Sequence, residues 1–417
     1  MAISRHLQSY NRKIATLVAG TAIAQAIPVA IMPVLTRIYS PSEFGVLAMF
    51  ISLSLIIGSA INARYELAIM LPEDHDDAIN LAALCLFICT FISLVLYVPI
   101  VFFEKQLLTW LENDGIKSWI YIVPASVWLL GFFNILTNLN NRLMLYNDIA
   151  KAQVYKSLTL AFVQVFVGIV KAGGSGLILG HLASQFASNV KLSKNIRANY
   201  DFKSISINRQ LKLGKAYKKF PLFSLWAGLA NTSSYHLVSL LIPKFFSLST
   251  LGFYFLVERM LGMPTSLIGS AIGQVFYQEA TVEKNEKGHA ISAFKRALGK
   301  LFIVGVGIFL VLYLLVEDLF ILVFGPEWAQ AGLYAKILTP LFFVRFVISP
   351  LTLLNLVFER NEIDLIWQVV LVILQVTLII VAAHFAWTFE FYLYCMVSVI
   401  STHYLIMLVI VTRYNHA

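Results

Sequence analysis

The strongest constraint on this chain is a series of twelve apolar stretches, each about 20 residues long, the length an α-helix needs to cross a bilayer. Hydrophobic residues make up 59% of the chain and charged residues only 13%, whereas soluble domains contain about 25% charged residues. Hydrocarbon offers no hydrogen-bond partner to the backbone, so these stretches must form helices. They lack the alternating polarity of a β-barrel. The sequence therefore predicts an all-α integral membrane protein.

About twelve transmembrane helices are predicted, and the longest polar stretch lies between the sixth and the seventh. Their expected positions are 13–36, 43–64, 77–103, 118–140, 149–170, 175–196, 217–242, 250–275, 293–316, 331–357, 363–386 and 389–412. We expect an N-terminal lobe at 1–196, a basic cytoplasmic linker at 197–216 and a C-terminal lobe at 217–417. The two six-helix lobes are expected to surround a central cavity.

The distribution of Lys and Arg predicts the orientation of the chain. These residues are concentrated in alternate gaps between spans, and the opposite side carries only Arg37, Lys105, Lys117, Lys171, Lys244 and Lys336. Short loops rich in Lys and Arg stay in the cytoplasm, so both termini are expected there. Topology and attraction to anionic lipid account for the net charge of +9, and no nucleic-acid partner is needed. The basic start leads into a full-length span, so the first helix is expected to be its own insertion signal.

The two halves share a weak internal repeat just after their first predicted helices. The segment LTRIYSPSEFGV at 35–46 aligns with IPKFFSLSTLGF at 242–253. The alignment pairs Ser40 with Ser247, Ser42 with Ser249, Gly45 with Gly252 and Arg37 with Lys244. Repeats with an even number of spans would be parallel, with a substrate site between them, which makes Arg37 and Lys244 candidate binding residues. A chance match in apolar sequence is the alternative.

Three arginines lie in or at the end of predicted spans. Arg259 and Arg345 lie inside the eighth and tenth, and Arg64 ends the second. An Arg at the bilayer centre costs at least about 2.5 to 3.5 kcal/mol, so such residues normally face a bundle interior or a wet cavity. Snorkelling to the interface is the alternative, and the stronger one for Arg64. Glu258 could carry a coupling proton, pair with another lobe or balance Arg259.

Small residues follow Arg259 at helical intervals, at Gly262, Ser266, Gly269 and Gly273. They form one narrow face of the predicted helix. That face fits either the wall of a solvated cavity or close packing of helices.

A run of polar residues, NTSSYH at 231–236, occupies the middle of the seventh predicted span. All six cannot face lipid cheaply, so we expect a broken or bent helix lining the cavity. This makes Asn231 and His236 candidate binding residues; interhelical hydrogen bonding and a structural histidine are the alternatives. The first span offers a milder counterpart in Gln25, with bending expected at Pro28 and Pro33.

The sequence contains no signature of a cofactor, metal or nucleotide site. HExxH motifs, paired His or Cys spacings and phosphate-binding Gly loops are missing from it. Cys85, Cys89 and Cys395 fall inside predicted helices, where inert thiols are expected. We expect no cofactor and no ATPase activity.

The chain resembles the polysaccharide or O-antigen flippases of the multidrug/oligosaccharidyl-lipid/polysaccharide exporter superfamily. The resemblance covers almost the whole chain, and its landmarks are YSPSEFG at 39–45, RYELAIMLP at 64–72, GLILG at 176–180, FP at 220–221, GFY at 252–254, Arg259 with MP at 263–264, QVFYQ at 274–278, FGPEW at 324–328 and AG at 331–332. Order and spacing, rather than any one motif, make it specific.

This resemblance implies a V-shaped pair of lobes in the bacterial inner membrane that rocks between inward-open and outward-open states. The implied substrate is an undecaprenyl-diphosphate-linked oligosaccharide, moved from the cytoplasmic to the outer leaflet. Arg64, Arg259 and Arg345 match basic positions that recur in this branch and would face the substrate. Coupling to H⁺ or Na⁺ is also implied, with Glu258 and Glu66 as candidates, and polysaccharide assembly proteins are possible partners.

Two other functions stay open from the sequence. A drug exporter of the same superfamily would carry organic cations, which a cavity lined by Arg would repel. An oligosaccharide polymerase would need catalytic groups outside the membrane. The longest outer loop, 104–117, has Glu104, Glu112 and Asp114 without a convincing acid/base arrangement, so we do not expect an enzyme.

Overall fold

The computed structural model describes residues 20–111, 114–170 and 173–416, and every regular element within these ranges is a helix. The longer helices are α1 (Gly20–Ile38), α2 (Pro41–Gly58), α3 (His75–Val95), α4 (Val123–Arg142), α5 (Tyr146–Val170), α6 (Ser175–Asn199), α7 (Ile207–Ala216), α8 (Leu225–Phe245), α9 (Leu248–Pro264), α10 (Ser270–Lys287), α11 (Ile291–Phe324), α12 (Ala329–Ile348), α13 (Asn361–His384) and α14 (Phe389–His416). The all-α prediction is confirmed for the described residues. The predicted start of the first helix at 13 and the loop residues Glu112 and Lys171 lie outside them.

Eight helical stretches in the described residues are long and apolar enough to cross a membrane. They contain α1, α2, α3, α5, α11, α12, α13 and α14. The other four predicted spans form α4, α6, α8 and α9, but their polar residues, such as four asparagines in the second half of α4, lower their hydropathy. A multi-pass membrane protein is therefore confirmed, and the crossing of these four helices stays a prediction.

Several helices differ from the sequence prediction at their ends. The second was expected to run to residue 64 but ends at Gly58. Turns follow, with Ala63 and Arg64 at φ 48° and 63°, and then a 3-10 helix at Tyr65–Met70. The first helix has a one-residue interruption of its regular assignment at Ile31, two residues before Pro33, and the bending expected at Pro28 and Pro33 stays a prediction. The predicted eighth span continues from α9 through a π-helical turn at Thr265–Gly269 into α10.

The residues divide into two units. The N-terminal unit comprises Val46–Thr232 and the chain up to Tyr39, and the C-terminal unit comprises Ser233–Ala417 and Ser40–Gly45. The core of the N-terminal unit contains buried apolar residues of α3, α4 and α6, among them Leu81, Leu136 and Leu192. In the C-terminal unit, the buried Trp328 ring packs edge-to-face against Phe44, with centroids 5.0 Å apart.

The repeated serines occupy equivalent structural positions. Ser40 and Glu43 form a capping box at the start of α2, because the Ser40 N–H donates to Oε2 of Glu43 at 2.8 Å and the Ser40 hydroxyl accepts the Glu43 N–H. Ser247 caps α9 by accepting the Thr250 N–H at 3.0 Å. The match between Ser40 and Ser247 therefore corresponds to two N-terminal helix caps, at the starts of α2 and α9.

The repeated glycines allow a close backbone approach inside the C-terminal unit. A Cβ at Gly45 would lie 2.1 Å from the Leu248 carbonyl oxygen, and one at Gly252 would lie 1.8 Å from that of Pro41. No side chain fits at either position without moving backbone, so the Ser40–Gly45 segment packs directly on the start of α9.

Candidate functional site

An ion pair joins α9 to α12 in the C-terminal unit. Nη1 of Arg345 lies 3.6 Å from Oε1 of Glu258, and the two side chains are 12% and 31% exposed. The Tyr254 hydroxyl donates a hydrogen bond to the same carboxylate oxygen at 2.9 Å. Glu258 therefore has its charge partner at Arg345 of its own unit, rather than in another lobe or at the adjacent Arg259, and its role in coupling stays a prediction.

Aromatic rings cover the Arg345 guanidinium. Its Cζ lies 5.5 Å from the Phe342 ring centroid and 5.8 Å from that of Tyr404, distances at which a cation is attracted to a ring face. Tyr404 is 1% exposed. The Arg345 Nε is buried and has no hydrogen-bond partner among the described residues. Most of the charge of Arg345 is thus balanced by the protein itself.

Arg259 differs from Arg345 in having no counter-ion among the described residues. It is partly buried on α9, and no hydrogen bond or ion pair to it is found in the described part of the chain. Successive residues of a helix point about 100° apart, which separates its side chain from the neighbouring Glu258. A partly buried, unpaired guanidinium can bind an anion, most strongly one that accepts paired hydrogen bonds.

The small residues after Arg259 form a packing surface over part of their length. A Cβ at Gly269 would lie 3.6 Å from Cγ of Pro350, and one at Gly273 only 3.1 Å from its Cβ. The same Cβ at Gly269 would lie 3.7 Å from Phe346, an ordinary contact distance. Close packing therefore explains the glycine at 273, whereas a side chain would fit at 269 and Ser266 is exposed.

The polar run at 231–236 does not break its helix, so the expected break is wrong, while a bend and a cavity-lining role stay predictions. Helix α8 is continuous from Leu225 to Phe245, and the irregular π-helical turn lies earlier, at Phe220–Ser224. The Ser234 hydroxyl donates to Oε1 of Gln368 on α13 at 2.7 Å, as the alternative of interhelical hydrogen bonding predicts. A helix can accommodate this run because its backbone groups remain bonded internally.

A second acid–arginine pair lies in the N-terminal unit, in the segment between α2 and α3. Nη1 of Arg64 is 3.7 Å from Oε1 of Glu66, and the Arg64 Nε contacts the Ser224 carbonyl oxygen at 3.5 Å. The guanidinium lies over Gly228, where a Cβ would be 2.3 Å from Nη2. Arg64 is therefore held by three groups of its own unit.

Glu66 is the most enclosed acidic candidate. It is 4% exposed, and its Oε2 has no hydrogen-bond partner among the described residues. Burial raises the pKa of this carboxyl, and a backbone hydrogen bond and the Arg64 charge oppose the rise. A carboxyl in this environment favours its protonated form more than a solvated one does.

The remaining candidates are dispersed. Gln25 and Arg37 are exposed on α1 and join neither acid–arginine pair. Lys244 is partly buried near the end of α8, with its ammonium 6.0 Å from the Phe245 ring. Asn231 is exposed and His236 is partly buried. The structure thus joins Arg64 with Glu66 and Arg345 with Glu258, and leaves Arg259 without a charge partner.

Two features were missed in the sequence. The first is Tyr254, whose position four residues before Glu258 was a detectable signal, since such residues are neighbours on a helix face. The second is Arg209 of α7, which binds the Asp74, Asp76 and Asp77 carboxylates at 2.5, 3.3 and 2.6 Å. The Asp76 N–H and then Arg209 hold the pKa of Asp74 below its ordinary value.

No group of three or more His, Cys, Asp or Glu residues that could hold a metal ion is found in the described ranges. Cys85 and Cys89 are buried free thiols, and Cys395 is a partly buried one. The candidate site therefore consists of arginines, carboxylates and tyrosines.

Comparison with known proteins gives a family match. A family model described as "Polysaccharide biosynthesis protein" matches residues 34–332. No curated protein matches the chain.

Three solved structures have a similar fold. An inward-facing multidrug resistance MATE family transporter of the MOP superfamily superposes with a TM-score of 0.66 at 13% identity, covering 96% of this chain and 93% of its own. The lipid II flippase MurJ, inward closed, gives 0.69 at 12% identity over 94% and 87% of the two chains. A MOP superfamily transporter from Pyrococcus furiosus gives 0.57 at 14% identity over 97% and 94%. At these identities the likeness establishes the fold.

Proposed function

Because this chain belongs to the polysaccharide biosynthesis protein family, we propose that it is a flippase for an undecaprenyl-diphosphate-linked oligosaccharide, such as an O-antigen repeat unit. It moves this substrate from the cytoplasmic to the outer leaflet of the bacterial inner membrane by alternating access. The proposal includes twelve spans with both termini in the cytoplasm, and transport rather than catalysis.

The observation that carries the proposal is the unpaired, partly buried Arg259 on α9. A cation in an apolar span is costly, by at least about 2.5 kcal/mol at the bilayer centre. The cost is offset when an anionic ligand supplies the missing counter-ion. A diphosphate does so with several oxygens, to which a guanidinium can donate paired hydrogen bonds.

An oligosaccharide headgroup explains why a protein path is required. Each hydroxyl moved into hydrocarbon without a partner costs on the order of 2 kcal/mol or more. A glycan with many hydroxyls therefore does not cross unaided, whereas its lipid tail can remain in the bilayer. Polar groups on the membrane helices lower the barrier by replacing water.

The test is flipping in proteoliposomes by full-length protein. A fluorescent undecaprenyl-diphosphate oligosaccharide is followed through the accessibility of its glycan to an impermeant reagent. Arg259→Gln is expected to abolish movement, Arg259→Lys to retain part of it, and the exposed control Arg296→Gln to move substrate normally. Full transport by Arg259→Gln at normal abundance would refute the assignment. Failure to move any glycan, together with uptake of organic cations, would favour the drug-exporter alternative.

We further propose that an ion gradient of H⁺ or Na⁺ drives transport, with Glu66 and Glu258 as candidate coupling groups. The enclosed Glu66, with one unpartnered oxygen, supports a role in proton uptake. Glu258 would have to exchange Arg345 for the ion. The transport rate is measured as a function of external pH for Glu66→Gln and Glu258→Gln. The variant at the coupling residue should lose the pH dependence, and the other should keep it. Polysaccharide assembly proteins are proposed partners.

A further inference from the structure

An apolar cavity of about 280 Å³ lies in the N-terminal unit among α3, α4 and α6. Its lining is apolar except for Ser193 and Arg197, and includes Ala83 and Leu136. The volume is near the lower end of ligand pockets, about 300 to 1,000 Å³. With so few hydrogen-bonding groups, this space fits a hydrocarbon chain and does not fit a sugar.

Among the described residues that line the cavity, Arg197 alone is charged. It is exposed in the last turn of α6, and no ion pair or hydrogen bond to it is found in the described ranges. Phe202 and Ile205, which also line the cavity, are 48% and 37% exposed. The cavity therefore opens beside a free cation and exposed apolar side chains.

Helix α7 continues this surface. Ile207 and Leu211 are 74% and 58% exposed, and their i, i+4 spacing places them on one face. Lys212 and Lys215 of the same helix are exposed as well. A short helix that exposes apolar and basic side chains together is typical of helices that lie at a membrane surface.

Several hydrogen bonds hold α7 and its preceding turn to the N-terminal unit. The Ser206 N–H donates to Oδ1 of Asn80 at 2.8 Å, and the Tyr65 hydroxyl donates to the Gly214 carbonyl oxygen at 2.9 Å. Arg209 binds three aspartates at the start of α3, as described above. The basic surface is thus fixed beside the cavity mouth.

We propose that this cavity binds one acyl chain of an anionic phospholipid, whose phosphate is held by Arg197 while α7 lies among neighbouring headgroups. The apolar lining selects the chain, and the unpaired guanidinium selects the negative charge. The orientation proposed above places this lipid in the cytoplasmic leaflet, but binding itself does not depend on the chain being a flippase.

The test is native mass spectrometry of the detergent-purified, full-length protein titrated with phosphatidylglycerol or phosphatidylcholine of identical acyl chains. Arg197→Gln removes the charge, Ala83→Leu fills the cavity, and Arg296→Gln is the control for loss of an exposed Arg. We expect phosphatidylglycerol to bind about fivefold more tightly, which corresponds to one Lys or Arg near an anionic lipid surface. Arg197→Gln should remove that preference, and Ala83→Leu should reduce the occupancy of both lipids. Size-exclusion profiles verify that each variant is folded.

A photoreactive acyl-chain phosphatidylglycerol provides an independent measurement, with crosslinks expected in α3, α4 and α6. Equal binding of the two lipids, an unchanged preference in Arg197→Gln, or crosslinks elsewhere would overturn the proposal. Displacement of the bound lipid by equimolar undecaprenyl diphosphate would also overturn it, by assigning the cavity to the substrate's own tail.

Discussion

Replacing Glu258 with Gln leaves the Arg345 guanidinium without its counter-ion. Breaking a fully buried ion pair costs about 3 to 5 kcal/mol. Glu258 is 31% exposed and lies 3.6 Å from Nη1, beyond hydrogen-bond range, so about 2 kcal/mol is expected here. Arg345→Gln should lower the free energy of unfolding by about 1 kcal/mol, because the aromatic contacts of Arg345 are worth about 0.5 to 1 kcal/mol. Glu258 is partly exposed and keeps its hydrogen bond from Tyr254.

The double variant Glu258→Gln/Arg345→Gln removes both charges and should cost less than the sum of the single variants, by about 1 to 2 kcal/mol. The four proteins of this double-mutant cycle are compared by thermal unfolding in detergent. The signal is the fraction that remains in the monodisperse size-exclusion peak after heating. At about 2 to 4 °C per kcal/mol, Glu258→Gln should lower the midpoint by about 4 to 8 °C.

A matched surface pair provides the control. Arg296 Nη2 and Glu279 Oε2 are 3.0 Å apart, with side chains 57% and 40% exposed, and such pairs are worth at most about 1 kcal/mol. The same cycle is measured for Arg296→Gln and Glu279→Gln. If the unfolding free energies of the Glu258 and Arg345 variants are as additive as those of this surface pair, the interpretation that the protein balances the charge of Arg345 is wrong. A double variant that is stable but inactive would assign the pair a role in transport.

Three further predictions use the same melting assay. Gly252→Ala should cost about 1 to 3 kcal/mol by overpacking against the Pro41 carbonyl, whereas Gly307→Ala, with open space around it, should be neutral or stabilising; equal effects would contradict the packing argument. Burial raises the pKa of Glu66 above its ordinary value of 4.5. The stability that Glu66 contributes is therefore full at acid pH and is lost as pH rises through the raised pKa. Glu66→Gln should flatten this pH dependence of stability between pH 4 and 8. Gly228→Ala should displace the guanidinium that pairs with Glu66 and change the same pH profile, with a stability loss below about 1 kcal/mol; an unchanged profile would exclude coupling between the two positions.

The helical architecture was predictable because hydrocarbon forces the backbone to bond within each segment. The ends of the helices were less predictable. The end of α2 at Gly58 was missed because the residues that turn the chain, Ala63 and Arg64, are not among the usual residues with positive φ. Hydropathy also did not locate the end of α11, which runs to Phe324 rather than to the expected residue 316.

The charged residues of the two acid–arginine pairs were candidates from the sequence, but their pairing was not predictable, and Tyr254 was missed. The cost of charge in lipid singled out Arg259 and Arg345 from the sequence. That Glu258 pairs with Arg345 rather than with adjacent Arg259 depends on the packing of α9 against α12, which is tertiary information. The run at 231–236 was misjudged because polar side chains can bond to a neighbouring helix, as Ser234 does with Gln368, without disturbing their own.

The Ser40–Gly45 segment has a consequence for biogenesis. The ribosome makes these six residues before residues 233–417, but both segments belong to one unit. The first turn of α2 must therefore wait in the membrane for α9 and Trp328, a late, non-local step of the kind that slows folding and favours misassembly. A gene split near the middle, or a chimera that exchanges only residues 233–417 with a relative, would separate Gly45 from Leu248 and Gly252 from Pro41, whose backbones pack closely. Exchange of the second half should succeed only when this short early segment is exchanged with it.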